Sequence, residues 1–201
     1  MAAIDEEFRG HRERGYPVRC GQVVVALEPW SRPFLAPLGL DVHVEPQGGQ
    51  IFVTEPLPPL TQAAMLYGVN PHIYWRQTKH GGLTIGGCRP IDRHGDWLLG
   101  GPSATTTLDI QKTIVDMTAR VHPDLGNVNV IRWWGGVMGF TPDGLPVLGR
   151  SSRFDNLVCA FGFCPNGILC APMTGRVIAD VVLGAEPAVP LDAYSPARLG
   201  A

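Results

Sequence analysis

The sequence predicts an α+β fold: a mainly antiparallel sheet with one helix, flanked by a buried strand on each side and followed by a C-terminal helix. Three observations carry this. Apolar and polar residues alternate through the middle of the chain, as in strands with one solvated face. Continuous apolar runs at 22–27 and 157–162 match strands buried on both faces, the pattern of a parallel sheet. Two other stretches switch to a helical period of 3.6 residues.

Each element follows in order. Residues 1–16 are polar and read as a frayed or loosely helical segment. QVVVAL (22–27) is the first buried strand, and the prolines of EPWSRPF end its ladder. DVHVEP and QIFVTEP (41–46, 50–56) read as two antiparallel strands joined across Gly48-Gly49. IYWRQT and LTIGGC (73–78, 83–88) form another hairpin over His80-Gly81-Gly82. In SATTTLDIQKTIVDMTARVHP, Leu108, Ile114, Met117 and Val121 share one helical face, with threonine caps before and Pro123 after. VNVIRWW (128–134) returns to strand, and TPDG (141–144) is a turn with proline second and glycine fourth. LVCAFG (157–162) is the second buried strand. Pro172 to Leu183 is the final helix, with proline near its start and Gly184 just past its end. The proline-rich tail from Ala185 lies on the surface. A lone parallel-type strand at each end implies a sheet whose other strands are not in this sequence.

Composition narrows the function classes. With 45% hydrophobic and 17% charged residues, the chain is an ordinary globular one. A net charge of -2 gives no footprint for nucleic acid or an anionic membrane surface. No apolar run reaches the roughly 18–20 residues of a membrane span. The charged start lacks a secretory apolar core, so the expected location is cytoplasmic. Five cysteines without C-x-x-C argue against a disulfide framework. Cys159 and Cys170 read as buried thiols, and Cys164 lies in a loop. The six histidines are scattered singly, without metal-ligand spacing.

The segment GFCPNGILCAPMTGRVIADVVLG (162–184) runs an irregular loop into an apolar helix. A helix N-terminus presents unpaired N–H groups and partial positive charge. Gly162 and Gly167 would let backbone approach a flat ligand, and Asn166 tolerates left-handed conformations. From this segment alone, a plain strand-to-helix connection with a good cap is the favoured reading.

The combination VVVA-x-x-PWS (23–31), R-x-W-x-G (132–136), TPDGLPVLG (141–149) and G-x-x-x-NGIL-x-AP-x-TGR-x-x-AD (162–180) resembles the D-amino-acid oxidase superfamily, in its glycine oxidase, sarcosine oxidase β-subunit and D-hydroxyproline dehydrogenase branch. The resemblance implies an FAD-dependent oxidoreductase that takes a hydride from the carbon beside an amine nitrogen. Its substrate would be a small amine or amino acid of the glycine, sarcosine or D-proline type. It also implies that the flanking strands and final helix belong to an incomplete FAD-binding Rossmann-type domain. The division would be 1–16 polar segment, 17–36 partial FAD-domain strand and loop, 37–140 substrate-binding β domain, 141–184 C-terminal part of the FAD domain, and 185–201 tail. Cofactor contacts would come from Ala26, Trp30, Gly136, Phe163, Asn166, Gly167, Ile168 and Leu169, with the 163–169 backbone at the pyrimidine edge. Asp143 would brace the TPDG turn.

Three departures qualify the resemblance. The G-x-G-x-x-G fingerprint that holds the FAD pyrophosphate is absent, and GGLTIGG (81–87) lies in an antiparallel hairpin with no following helix. A partner subunit would supply that half; the alternative is a truncated, non-catalytic relic or interaction subunit. Glu28 stands where relatives carry glycine, and its charge would oppose a pyrophosphate. Met138 stands where glycine-oxidase-like members place a carboxylate-binding arginine, leaving Arg76 and Arg132 on neighbouring strands, with Tyr74, as substrate-binding candidates. Gly136 replaces the cysteine that covalent members use, so any FAD is held non-covalently. No catalytic side chain is required, since the flavin is the electron sink.

Overall fold

The computed structural model describes residues 7–8, 18–60, 65–69, 72–92 and 106–200. Most of the polar segment at 1–16 therefore lies outside the described residues, as does Thr105 ahead of the central helix. Where that N-terminal region is described, it is strand: β1 (Glu7–Phe8) pairs antiparallel with β2 (Val18–Arg19). The chain divides into two units, residues 1–45 with 138–201, and residues 46–137.

The first unit is built on a three-stranded sheet. β3 (Val23–Val25) and β10 (Leu157–Phe161) run parallel, with Val24 opposite Val158, and β9 (Val147–Arg150) joins β10 antiparallel. The two apolar runs expected from sequence are thus direct neighbours, but the first is not buried on both faces: β3 lies at the sheet edge and buries only Val25, with Val24 exposed. Every residue of β10 is buried, as its unbroken apolar run requires. The core gathers Val25, Leu35, Leu40, Val42, Val44, Val147, Leu157, Cys159 and Phe161. Phe161 is wholly enclosed, and burying a side chain of that size contributes about 2–3 kcal/mol. Burial pushes the Cys159 thiol up to about 12, leaving it inert. Cys170, expected buried, is only half-buried, although it shares the face of the final helix that buries Val177. The short helix α1 (Ser31–Leu35) follows the end of β3.

The final helix, α3, spans Gly167–Leu183, so it starts five residues earlier than Pro172 suggests. Pro172 sits inside it and removes the bond to the Ile168 carbonyl without ending the helix. Gly184 closes it at φ 71, with Ala185 N–H donating to the Asp180 carbonyl at 2.8 Å. The helical stretch Cys164–Leu183, at 20 residues and mean hydropathy 1.3, meets the length and composition of a membrane span, against the sequence expectation. It also carries an Arg176–Asp180 ion pair at 3.1 Å and buries Val177 and Asp180 within the unit. The tail is not simply surface: Pro196 is buried, and Leu199 packs on the first core.

The second unit holds a five-stranded sheet ordered β5-β6-β7-β4-β8: β4 (Glu45–Pro56), β5 (Leu66–Val69), β6 (His72–Gln77), β7 (Gly82–Asp92) and β8 (Val130–Phe140). The expected hairpin across Gly48-Gly49 is instead the single strand β4. Its glycines run straight through a register shift against β7, where Gly48 pairs with Asp92 and Gln50 with Gly87, so the extra residues lie on β7 and the glycine pair makes no turn. Residues 41–44 stay outside the sheet, and Val42 and Val44 serve the first core. The β6–β7 hairpin forms as expected, with Tyr74 opposite Gly86. Helix α2 (Leu108–Val121) packs on this sheet through Ile110, Ile114 and Met117. Leu108, expected on the same face, is 81% exposed at the helix's first residue.

Candidate functional site

Because β3 and β10 are parallel, their carboxyl ends lie side by side, with Val25 opposite Cys159. In an open parallel sheet this is where ligands bind. The chain leaves β3 through Ala26 and Leu27, both exposed, and Trp30 is 44% exposed on the turn that follows. It leaves β10 through Gly162 at φ 75, where a Cβ would come within 2.6 Å of Thr141 Cγ2. Backbone and neighbour both demand glycine there. Cys164 is also left-handed, at φ 53. A 3-10 turn at Cys164–Asn166, closed by Asn166 N–H to the Phe163 carbonyl at 3.0 Å, feeds directly into α3.

The tip of α3 is open. Asn166 makes no side-chain cap, and Ile168 and Leu169 are 92% and 75% exposed. An N-terminus without a side-chain cap keeps its first-turn amides and partial positive charge for another partner. Gly167 has ordinary helical dihedrals, and a Cβ there would meet only Phe163 Cβ, at 3.6 Å. The fold itself has no need of glycine at 167, so its missing side chain leaves backbone accessible to an approaching flat group. Beside this tip, Leu145, Phe163, Leu169, Met173 and Tyr194 line a groove of about 570 Å³. These features leave room for a flat group such as a flavin ring, while the sequence offers no glycine fingerprint for a pyrophosphate.

Two carboxylates brace the region. Asp143 accepts from Leu145 N–H at 3.1 Å and from Arg198 Nε at 2.7 Å, and Arg198 also donates to the Leu145 and Pro146 carbonyls. This fork holds the Asp143 carboxyl down at about 2. The brace on the turn was expected from sequence; Arg198, in the tail, was not. Glu28 is left-handed at φ 50, and its side chain turns inward so that Oε1 accepts from Phe163 N–H at 3.4 Å. Burial raises its pKa, against the lowering pull of the Phe163, Gly162 and Gly139 amides.

The substrate candidates fall mainly in the second unit. Ile73 and Trp75 face the core under α2, so Tyr74 and Arg76 face the opposite side of the sheet. Trp133 is in the same core, against Phe52 at 4.5 Å, which places Arg132 and Trp134 on that opposite side as well. Tyr67 stacks on Tyr74 at 6.5 Å, and Arg132 lies 5.9 Å from the Trp134 ring centre. One face thus carries Tyr67, Tyr74, Arg76, Arg132 and Trp134. Arg76 and Arg132 are not on adjacent strands, however: β7 and β4 separate β6 from β8, about 14 Å at ordinary strand spacing. Gly136 is exposed, with nothing within 4 Å of a Cβ. Met138 is half-buried near the end of β8 in the first unit and brings no charge. Tyr67 is not among the sequence candidates, and Trp134 enters there only as part of the R-x-W-x-G motif; pairing of Tyr67 with Tyr74, and the two-residue alternation from Arg132 to Trp134, place them on this face.

Comparison with known proteins adds scale. The family model described as FAD dependent oxidoreductase matches residues 2–181. Glycine oxidase of Bacillus subtilis (strain 168) is 33% identical over 170 residues, covering 84% of this chain and 43% of that protein. Sarcosine oxidase subunit beta of Rhizobium meliloti (strain 1021) is 29% identical, over 87% of this chain and 39% of that one. The crystal structure of L-proline dehydrogenase from P. horikoshii superposes with a TM-score of 0.81 at 27% identity, covering 98% of this chain and 52% of that chain. The chain therefore spans about half the length of the relatives it matches.

Proposed function

The chain belongs to the family of FAD-dependent oxidoreductases, and from that premise we propose that it forms the ring-edge half of a flavin site that oxidises the CH–NH bond of an amino acid or secondary amine. The observation that carries this reading is the uncapped, exposed first turn of α3 beside a glycine the fold does not need. When bound, FAD would supply the hydride acceptor. This chain's share is electrostatic and positional. The amides of Gly167, Ile168 and Leu169 would put positive potential at the pyrimidine edge, with the backbone of Phe163 and Asn166 shaping the approach. Ala26 and Trp30 would line the neighbouring strand end. Gly136 carries no thiol, which supports non-covalent binding. The open sheet face would orient the substrate, with Arg76 or Arg132 pairing its carboxylate and Tyr74 offering a hydrogen bond.

The pyrophosphate half would come from elsewhere, as the rest of a longer protein or as a partner subunit; one similar protein is by its name a subunit. The test is to assemble the chain with the polypeptide carrying the G-x-G-x-x-G half, load FAD, and add glycine, sarcosine or D-proline without oxygen. Bleaching of the oxidised-flavin band by at least one amine, and by none of the matching 2-hydroxy acids, is the expected result. A flavin-loaded assembly that no amine bleaches would leave the non-catalytic interaction subunit as the better account.

A further inference from the structure

The only non-glycine residues with positive φ among the described ones are Glu28 at φ 50 and Cys164 at φ 53, and they follow the adjacent carboxyl ends of β3 and β10. Such backbone costs on the order of 1 kcal/mol or more per residue and clusters where geometry is held for function. At Glu28 a second cost is added, because its carboxylate is drawn inward. Oε2 is fully enclosed without a hydrogen-bond partner, and a Cβ on Gly139 would come within 2.8 Å of it. Oε1 accepts the Phe163 amide at 3.4 Å, and the amides of Gly139 and Gly162 lie close enough to act on its charge. One backbone hydrogen bond, from Phe163 N–H to Oε1, thus ties the side chain to the bend after β10, while Oε2 sits enclosed against Gly139.

We propose that Glu28 is a positioning residue: an inward-turned acceptor that ties the bend leading into α3 to the end of β3, so that the first-turn amides of α3 keep their aim. The proposal rests on the flavin reading for its purpose, but not for its geometry. It also changes what the substitution means. A carboxylate whose enclosed oxygen faces Gly139 is turned toward the protein, so the charge opposition anticipated from sequence gives way to an anchoring role. Gly139 is part of the same device, since any side chain there would displace the carboxylate or the Pro29 backbone nitrogen at 3.0 Å.

The test compares amide hydrogen exchange in the full chain for wild type, Glu28→Gln and Glu28→Gly. Glycine relieves the left-handed backbone and so folds at least as well, yet removes the anchor. Exchange at Phe163 through Ile168 is expected to rise about tenfold in Glu28→Gly while the second unit's exchange stays unchanged. Glu28→Gln, which keeps an acceptor in place, should restore most of the protection. Unchanged exchange at Phe163–Ile168 in Glu28→Gly, or no rescue by glutamine, would overturn the proposal. Because the measurement needs no flavin, its failure is separate from failure of the flavin reading. Within the FAD-loaded assembly, the same variants should order flavin affinity as wild type, then Glu28→Gln, then Glu28→Gly; a Glu28→Gly assembly that binds FAD more tightly than wild type would restore the charge-opposition role and sink the positioning one.

Discussion

Asp143 and Glu28 are carboxylates of one unit in opposite circumstances, and their pH behaviour has opposite sign. Asp143 is paired with Arg198 and held at about 2, below its ordinary 3.8. A depressed carboxyl contributes stability that is present above the unfolded value and is lost as pH falls through the folded one. Asp143→Asn should therefore lower stability by about 1 kcal/mol near neutral pH, a modest figure because the pair is partly exposed to solvent. The gap between wild type and variant should close as pH drops from 3.8 toward 2, read from thermal midpoints. A gap independent of pH would mean the Arg198 fork does not act through charge. Glu28 is raised by burial, so its contribution runs the other way: it favours the fold at low pH and costs stability as pH rises through its folded value.

At the scale of elements, α3 carries the functional claim. Gly167→Ala adds a methyl that meets only Phe163 Cβ at ordinary contact distance and replaces a poor helix former. Thermal stability should be unchanged or raised by up to about 0.5 kcal/mol. FAD affinity in the assembled protein should fall at least tenfold if the ring edge lies on this backbone. A variant that loses stability instead, or binds FAD unchanged, would remove Gly167 from the cradle. The elements also show what a sequence can and cannot reveal. β10 was legible because burial on both faces leaves a continuous apolar run; β3 carries a similar run but lies at the sheet edge, where it buries Val25 and exposes Val24. The β6–β7 hairpin was legible because alternation flanks a glycine turn. Gly48-Gly49 misled because a glycine pair can run within a strand as well as turn it, and only the partner strand's register decides between them. The start of α3 was hidden by Pro172, whose missing N–H falls within a helix that the preceding 3-10 turn had already begun. At the site, the Asp143 brace could be read from turn chemistry. The inward turn of Glu28 and the reach of Arg198 across 55 residues depend on tertiary geometry that no local pattern encodes.

At the scale of the molecule, half a flavin site is the consequence of half a fold. The three-stranded sheet has β3 at its edge, and half-exposed Val24 lies on it. A short apolar edge with unpaired backbone groups is a template for further strands. The chain covers 39–43% of the two relatives named above, and its sequence has no fingerprint for a pyrophosphate. The ring-edge amides alone cannot supply the affinity that a full dinucleotide site does. Flavin absorbance after gel filtration of FAD-treated protein tests this most directly, run on the chain alone and on the chain combined with the polypeptide carrying the G-x-G-x-x-G half. The account predicts no stoichiometric flavin on the chain alone and one flavin per assembled pair. A chain that emerges yellow by itself, with one FAD per molecule, would contradict it.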